Sequence, residues 1–322
     1  MKKRDWLLLA AALCAAPLAS AQGGNAKPVK IIVTFAAGGP VDFVARTIAG
    51  PMGKALERTV IVENKPGANG AIGASEVMRA EPDGNTLWLT SVGAAAINQS
   101  LYDKLSYDMQ RDFAPVSLVV DNNEVFVVKA ENPARDAADL ITRAKQGKAP
   151  MPIGSSGTGS IPHLALLQLE SATGTQLLHV PYNGMAPALN DLMGGQVQGV
   201  FADVPAVMGH LKGGRLKALG MASQNRHPGL PEVKTFEEQG IKGMDTNNWY
   251  GLFVSAKTPA EVIDTLNKAV RQAVADPATR KRLADSGAEP KASAPQELST
   301  LLKADAQKWA QLIKARNIKA TP

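Results

Sequence analysis

The stretch Val29-Lys30-Ile31-Ile32-Val33-Thr34-Phe35-Ala36-Ala37-Gly38-Gly39-Pro40-Val41-Asp42-Phe43-Val44-Ala45-Arg46-Thr47-Ile48 decides the fold. Val29 to Phe35 is a short β-branched run, the composition of a buried strand. Two glycines and a proline break it, and Val41, Val44, Ala45 and Ile48 then recur at helical spacing. A strand, a glycine turn and a helix in that order open an α/β unit.

The alternation continues outward from there. Thr59 to Glu63 reads as a strand, Ala71 to Ala80 as a helix and Thr86 to Ser91 as a strand, which predicts a mostly parallel sheet. Two apolar runs follow, Val116 to Val120 and Val125 to Val128, with the pattern of crossing strands. A second set then begins: helix 134–145, strand 152–155, helix 161–172, strand 177–180, helix 185–193 and strands 197–202 and 216–221. Strand 249–254 and amphipathic helices 259–275 and 295–314 close the chain. If the chain enters the second unit near Val125 and leaves it near Trp249, these last elements return to the first. The predicted class is α/β, with lobe 1 from 28–124 and 250–322, lobe 2 from 125–249, and a two-strand hinge at which Trp249, Tyr250 and Gly251 lie.

With 322 residues and 45% hydrophobic content the chain can fill two cores. Residues 1–21 read as a signal peptide: Lys2, Lys3 and Arg4 form a basic start, Trp6 to Leu18 an apolar stretch, and Ala19-Ser20-Ala21 a small-x-small cleavage pattern. Cys14 is the single cysteine and lies inside that segment, with Leu13 before it where a lipid-modified signal wants a small residue. The expected mature protein is an unlipidated monomer starting at Gln22, without disulfides, zinc-thiolate sites or a cysteine nucleophile. The net charge of +6 and aromatic content of 5%, with lysines dispersed, lack the basic stripe that nucleic acid requires. A mild positive field suits an anionic solute and serves solubility equally well.

Four segments rich in small or polar residues stand at predicted strand ends. Ala36-Ala37-Gly38-Gly39-Pro40 offers backbone N–H groups at a helix start, an anion site that needs no charged side chain, and reads equally as a tight turn. Gly154-Ser155-Ser156-Gly157-Thr158-Gly159-Ser160 concentrates hydroxyls and bare amides before Pro162-His163. It lacks the Gly-Lys-Ser/Thr of a phosphate loop, and Pro162 replaces the third glycine of a dinucleotide fingerprint. Val180-Pro181-Tyr182-Asn183-Gly184 and Phe201-Ala202-Asp203-Val204-Pro205 are the third and fourth. Ligands collect beyond the carboxyl ends of strands in open α/β sheets, so four such loops on two lobes suit one cleft. Asp42, in the first turn of its helix, reads as structural. His163, His179, His210 and His227 have no metal-ligand spacing, and no nucleophile-base set or carboxylate pair is visible.

Taken together, Phe35-Ala36-Ala37-Gly38-Gly39-Pro40-Val41-Asp42, Val62-Glu63-Asn64-Lys65-Pro66-Gly67-Ala68, Gly157-Thr158-Gly159-Ser160-Ile161-Pro162-His163-Leu164, Val180-Pro181-Tyr182-Asn183-Gly184 and Trp249-Tyr250-Gly251-Leu252-Phe253 resemble the tripartite tricarboxylate transporter substrate-binding receptors, the Bug or TctC-type family. The likeness runs from Pro28 to about Ile318. It implies a type II periplasmic-binding-protein fold, no cofactor, a small carboxylate ligand and membrane permease subunits as partners. Carried onto this chain, it points to Phe35, Ala36, Gly38 and Gly39 in lobe 1 and Ser155, Gly159, Ser160 and His163 in lobe 2, with Ser91, Tyr182 and Asp203 as further contacts. Thr34 and Ala37 depart from the family pattern, where many members carry a proline. A secreted hydrolase or isomerase using the same cleft, a ligand sensor without a transporter and an adhesive envelope protein are the rival readings.

Overall fold

The computed structural model describes residues 27–67, 70–182 and 184–319. The signal peptide with Cys14, and Asn183, lie outside the described residues. The chain forms two sheets. The first has the order β11-β4-β10-β3-β1-β2, from β1 (Val29–Val33), β2 (Val60–Asn64), β3 (Thr86–Ser91), β4 (Phe113–Asn122), β10 (Asn248–Ser255) and β11 (Glu289–Pro290). The second has the order β7-β6-β8-β5-β9, from β5 (Glu124–Lys129), β6 (Met151–Ser155), β7 (Leu177–Pro181), β8 (Gly199–Asp203) and β9 (Leu216–Met221).

The two sheets are mixed and not mostly parallel. β1, β2 and β3 run parallel, as do β6, β7 and β8, but β10 lies antiparallel to both β3 and β4, and β5 antiparallel to both β8 and β9. The reason is connectivity. β4 leaves the first sheet and passes through Asn123 directly into β5, so each sheet receives a strand from a chain that crosses between them. The second crossing returns at β10, where Asn248 pairs with Asn122 at the end of β4. The crossing strands therefore lie side by side.

Helices cover both faces of each sheet. α1 (Pro40–Leu56) buries Val41, Val44, Ala45, Ile48 and Met52, the stripe its sequence spacing gives, against β1 and β3. α2 (Ala71–Arg79), α3 (Asn98–Leu101, entered through a π turn at Gly93–Ile97), α4 (Met109–Asp112), α9 (Ala260–Ala275), α10 (Pro277–Ser286) and α11 (Pro295–Ala315) complete the first lobe. α5 (Ala137–Gln146), α6 (Ile161–Thr173), α7 (Met185–Gly194) and α8 (Val204–Lys212) serve the second. α3, α4, α8 and α10 have no counterpart in the sequence reading. α10 buries only Thr279 and Leu283 and carries a charged outer face, so its apolar period is too sparse to read.

The lobes touch away from the crossing strands as well. Ile161 and Leu164 of α6 pack in the same cluster as Ile97, Leu101, Trp309 and Ile313 from the first lobe. Trp249 belongs to that cluster too. It is fully buried, its ring lies 6.4 Å from that of Phe253, and its indole N–H donates to Asp305 of α11 at 2.6 Å. Gly251 sits where α11 presses on the sheet, since a Cβ there would meet Leu298 at 3.1 Å. Both residues therefore pack in the core of the first lobe while lying on the returning crossing strand.

Candidate functional site

A cleft opens between the carboxyl ends of the strands of the two sheets. Its inner compartment of about 280 Å³ is lined by Phe35, Pro40, Val41, Ser91 and Tyr250 from one lobe and by Glu124, Ser156, Ser160, Ile161, Met185 and Asp203 from the other. An outer compartment of about 490 Å³ is walled by Phe43, Val44, Met185, Leu189, Pro205 and Ala206, with Gly38, Gly39, Asn122 and His210 at its edges. Pro40, Met185, Ala206 and Tyr250 line both, so the two are continuous.

Four helices aim their N-terminal turns into this cleft: α1 through Pro40 and Val41, α6 through Ser160, Ile161 and Pro162, α7 through Gly184 and Met185, and α8 through Pro205 and Ala206. Each presents first-turn N–H groups without an intrahelical partner and the positive end of its dipole. Proline at the first or second position of α1, α6 and α8 is what the sequence invests in these starts. Among the described residues no lysine or arginine lines either compartment. Positive potential in the cleft comes from backbone alone.

The predicted glycine loops bound the cleft but are tied up internally. The Gly38 amide donates to Asp42 Oδ2 at 2.9 Å and the Gly39 amide to the Ala36 carbonyl at 3.3 Å. Asp42 also accepts from Arg46 Nε and Asn64 Nδ2, both at 2.9 Å. Burial pushes its pKa up, and these bonds from Arg46, Gly38 and Asn64 outweigh that and hold it below the ordinary range. In the second loop the Gly159 amide donates to His163 Nδ1 at 2.9 Å, and Ser160 Oγ caps α6 by accepting from the His163 amide. His163 stacks on His179 at 3.8 Å with 7° between the rings; burial, and then the neighbouring His179, lower its pKa to about 3. Ser155 is buried, with its hydroxyl 2.7 Å from His179 Nε2.

Of the predicted site residues, Phe35, Ser91, Ser160 and Asp203 line the inner compartment and Gly38 and Gly39 the outer one. Ala36, Ser155, Gly159, His163 and Tyr182 line neither. Tyr182 instead donates to Asp191 on α7 at 2.7 Å. Gly159, at φ +77, packs against the other lobe, and a Cβ there would lie 2.1 Å from Leu101 of α3.

The sequence reading missed Glu124. β5 and β8 pair so that Glu124 stands directly across from Asp203, which makes a buried carboxyl pair at the base of the cleft. Asp203 accepts from Asn248 Nδ2 at 3.0 Å and from the Tyr250 hydroxyl at 2.9 Å, both across the lobe boundary. Burial first, and then the charge of Asp203, raise Glu124 well above the ordinary carboxyl range. Burial also raises Asp203, against the hydrogen bonds from Glu124, Tyr250 and Asn248. Burial and the facing carboxylate both disfavour the charged form of Glu124, so the pair resists double ionisation.

Two α/β lobes, joined by strands that cross between the sheets and enclosing a cleft at their strand ends, define a periplasmic-type solute-binding protein. The chain belongs to the tripartite tricarboxylate transporter family of receptors, whose family model matches residues 44–318. It is similar to the periplasmic binding protein BugD, at 35% identity and a TM-score of 0.81 over 91% of this chain and 99% of that one. MatC from Rhodopseudomonas palustris, solved with bound malate, is 31% identical with a TM-score of 0.79 over 89% of this chain and 98% of that one. Rpa4515 of R. palustris, solved with adipate, is 30% identical with a TM-score of 0.84 over 91% and 99%. Among the described residues no helix is long and apolar enough to cross a membrane, and no three histidine, aspartate or glutamate side chains gather as a metal site.

Proposed function

We propose that the protein is a periplasmic receptor that closes its two lobes over a small carboxylic acid and delivers it, chemically unchanged, to the membrane permease subunits of a tripartite transporter. The observation that carries this reading is the convergence of four helix N-termini on a cleft without basic side chains. Such a cleft attracts an anion through fixed backbone dipoles and pays little reorganisation on binding. The ligands named for MatC and Rpa4515 support the same class of solute. The proposed lobes divide near residues 124 and 249, export uses the signal peptide at 1–21, and Ser91, Ser160 and the N-terminus of α6 contact the carboxylate.

A thermal-shift screen of the mature protein against a carboxylic acid panel tests this. At a hundredfold excess over Kd, binding contributes about 2.7 kcal/mol, which moves the midpoint by roughly 5 to 11 °C for a chain of this size. A panel without any saturable shift contradicts the reading. The Glu124–Asp203 pair is a feature that an acid/base enzyme would share, and proton NMR of the ligand after prolonged incubation separates the two. A receptor returns it unaltered.

A further inference from the structure

We propose that a second pocket, behind the crossing strands and facing away from the cleft, is a binding site for a small organic cation with amine or guanidinium donors. Its occupant is independent of what the cleft binds.

Successive side chains of an extended chain point to opposite faces, and both crossing strands use this. On the first, Asn122 and Glu124 line the cleft, while Asp121 and Asn123 line a rear compartment of about 390 Å³. On the second, Asn248 and Tyr250 face the cleft, and Asp245 and Asn247 face the rear. Glu289 of β11 and Lys291 close the compartment from the edge of the first sheet, and the loop after β9 closes it from the second. Its volume is within the range of small-molecule sites.

Asn123 is the group that points to a ligand. It is only 7% exposed, it lines the rear compartment, and its side-chain amide makes no hydrogen bond among the described residues. Asn247 Oδ1, on the other crossing strand, is likewise closed off from solvent and unpaired. Native interiors seldom leave such groups without a partner, because each loses its water and gains nothing.

The charge of the walls selects the class of ligand. Asp121, Asp245 and Glu289 bring three carboxylates. Lys291 lies 3.3 Å from Asp121 and answers that one. Arg226 also lines the compartment, but Glu238 at 2.9 Å and the Pro231 carbonyl at 2.8 Å already hold it. Lys308 donates to the carbonyl of Asp245 and stands beside Asp305, and the carboxylate of Asp245 accepts only from the neutral Gln224 amide, at 3.3 Å. His227 is 4.0 Å from Glu289 and brings no charge: its Nδ1 accepts from the Gly229 amide, which leaves the proton on Nε2 to donate to the Gly287 carbonyl. Burial, and then Asp121, raise the Glu289 carboxyl against Lys291, the sign of an excess of negative potential. Among the described residues no three acids or histidines gather closely enough for a metal ion. Carboxylates spread around a compartment of this size suit an organic cation with several N–H donors, which also supplies partners to Asn123 and Asn247.

Calorimetric titration of the mature protein at pH 7 and fixed ionic strength tests the site, with guanidinium chloride against urea and putrescine against the diol of the same length. Each cation is expected to bind saturably, one per chain, and at least about tenfold more tightly than its neutral counterpart, the scale of a charged hydrogen bond. Glu289→Gln and Asp245→Asn should each weaken cation binding about tenfold. Asn123→Ala should weaken it about fivefold, the scale of one neutral hydrogen bond. Melting temperatures of the three variants near wild type are expected, since none of these side chains holds a strong partner within the chain. Ala206→Trp, which fills the cleft, should bind both cations as the wild type does. Neutral counterparts that bind as tightly as the cations, no saturable binding of either cation, or affinity unchanged in both carboxyl variants overturns the site. Loss of cation binding in Ala206→Trp overturns it too, since the cation would then lie in the cleft.

Discussion

The two glycine loops that flank the cleft are built alike and charged differently. In each, a glycine amide donates to the side chain four residues on, Gly38 to Asp42 and Gly159 to His163. Asp42 is ionised and bound by Arg46 and Asn64, whereas His163 is neutral and stacked on His179. A fixed negative charge in the first turn of α1 offsets part of that helix's dipole, and the neutral imidazole leaves the dipole of α6 intact. The proposed carboxylate contact at Ser160 and the start of α6 follows from this difference, although both loops look alike in sequence.

Packing separates the loops as well, and glycine replacement gives the largest effect. Gly159→Ala puts a methyl group against Leu101 at a left-handed backbone position, and should cost about 2 to 4 kcal/mol and most of the ligand affinity. Gly38→Ala has φ +82 but open space around the added carbon, so about 1 to 2 kcal/mol is expected. Denaturant unfolding of both variants orders them, and a second change, Leu101→Ala, should relieve the first and leave the other unchanged. Equal costs would show that the lobes do not meet at Gly159.

Next in size is Asp42→Asn. Removing a buried acceptor of three donors, one of them a guanidinium, should cost about 1 to 3 kcal/mol of stability at neutral pH. Because the folded carboxyl is held below its ordinary range, this contribution is complete above about pH 4 and fades as pH falls through the lowered value. The difference between wild type and variant should therefore shrink on acidification. A constant difference would mean that the charge is not what the loop uses.

At neutral pH the smallest effect belongs to His163, whose contribution appears only on acidification. Its pKa falls from 6.5 to about 3 on folding, so the unfolded chain binds the proton first and stability is lost as pH falls from about 6.5 toward 3. His163→Gln keeps an acceptor for Gly159 and should flatten that loss by up to about 1.4 kcal/mol per pH unit. Identical pH profiles for the two proteins would show that folding leaves the titration of His163 unchanged.

Much of this architecture was legible because it depends on local pattern. The strand, glycine and helix order around Gly38 and Gly159 follows from spacing and from Pro40 and Pro162. The antiparallel placement of β5 and β10 was not legible, since it depends on where the chain crosses between sheets. The same limit hid Glu124. In the sequence it is one acid at the head of an apolar run, 79 positions from Asp203, and only strand register brings the two together. Ser155, His163 and Tyr182 show the converse. Their residue types suit a polar ligand, but side-chain direction turns them into supports behind the loops.

Whether the solute lies between the lobes is decided at Ala206. This residue lines both compartments from the first turn of α8 and is only half-buried, so Ala206→Trp fills the cleft from a position that belongs to neither glycine loop nor the carboxyl pair. Calorimetric titration with the tightest acid from the screen should show one-to-one saturable binding to the wild type and a loss of at least about a hundredfold in the variant, with the free protein's melting temperature nearly unchanged. Wild-type affinity in Ala206→Trp would place the solute elsewhere and contradict the account.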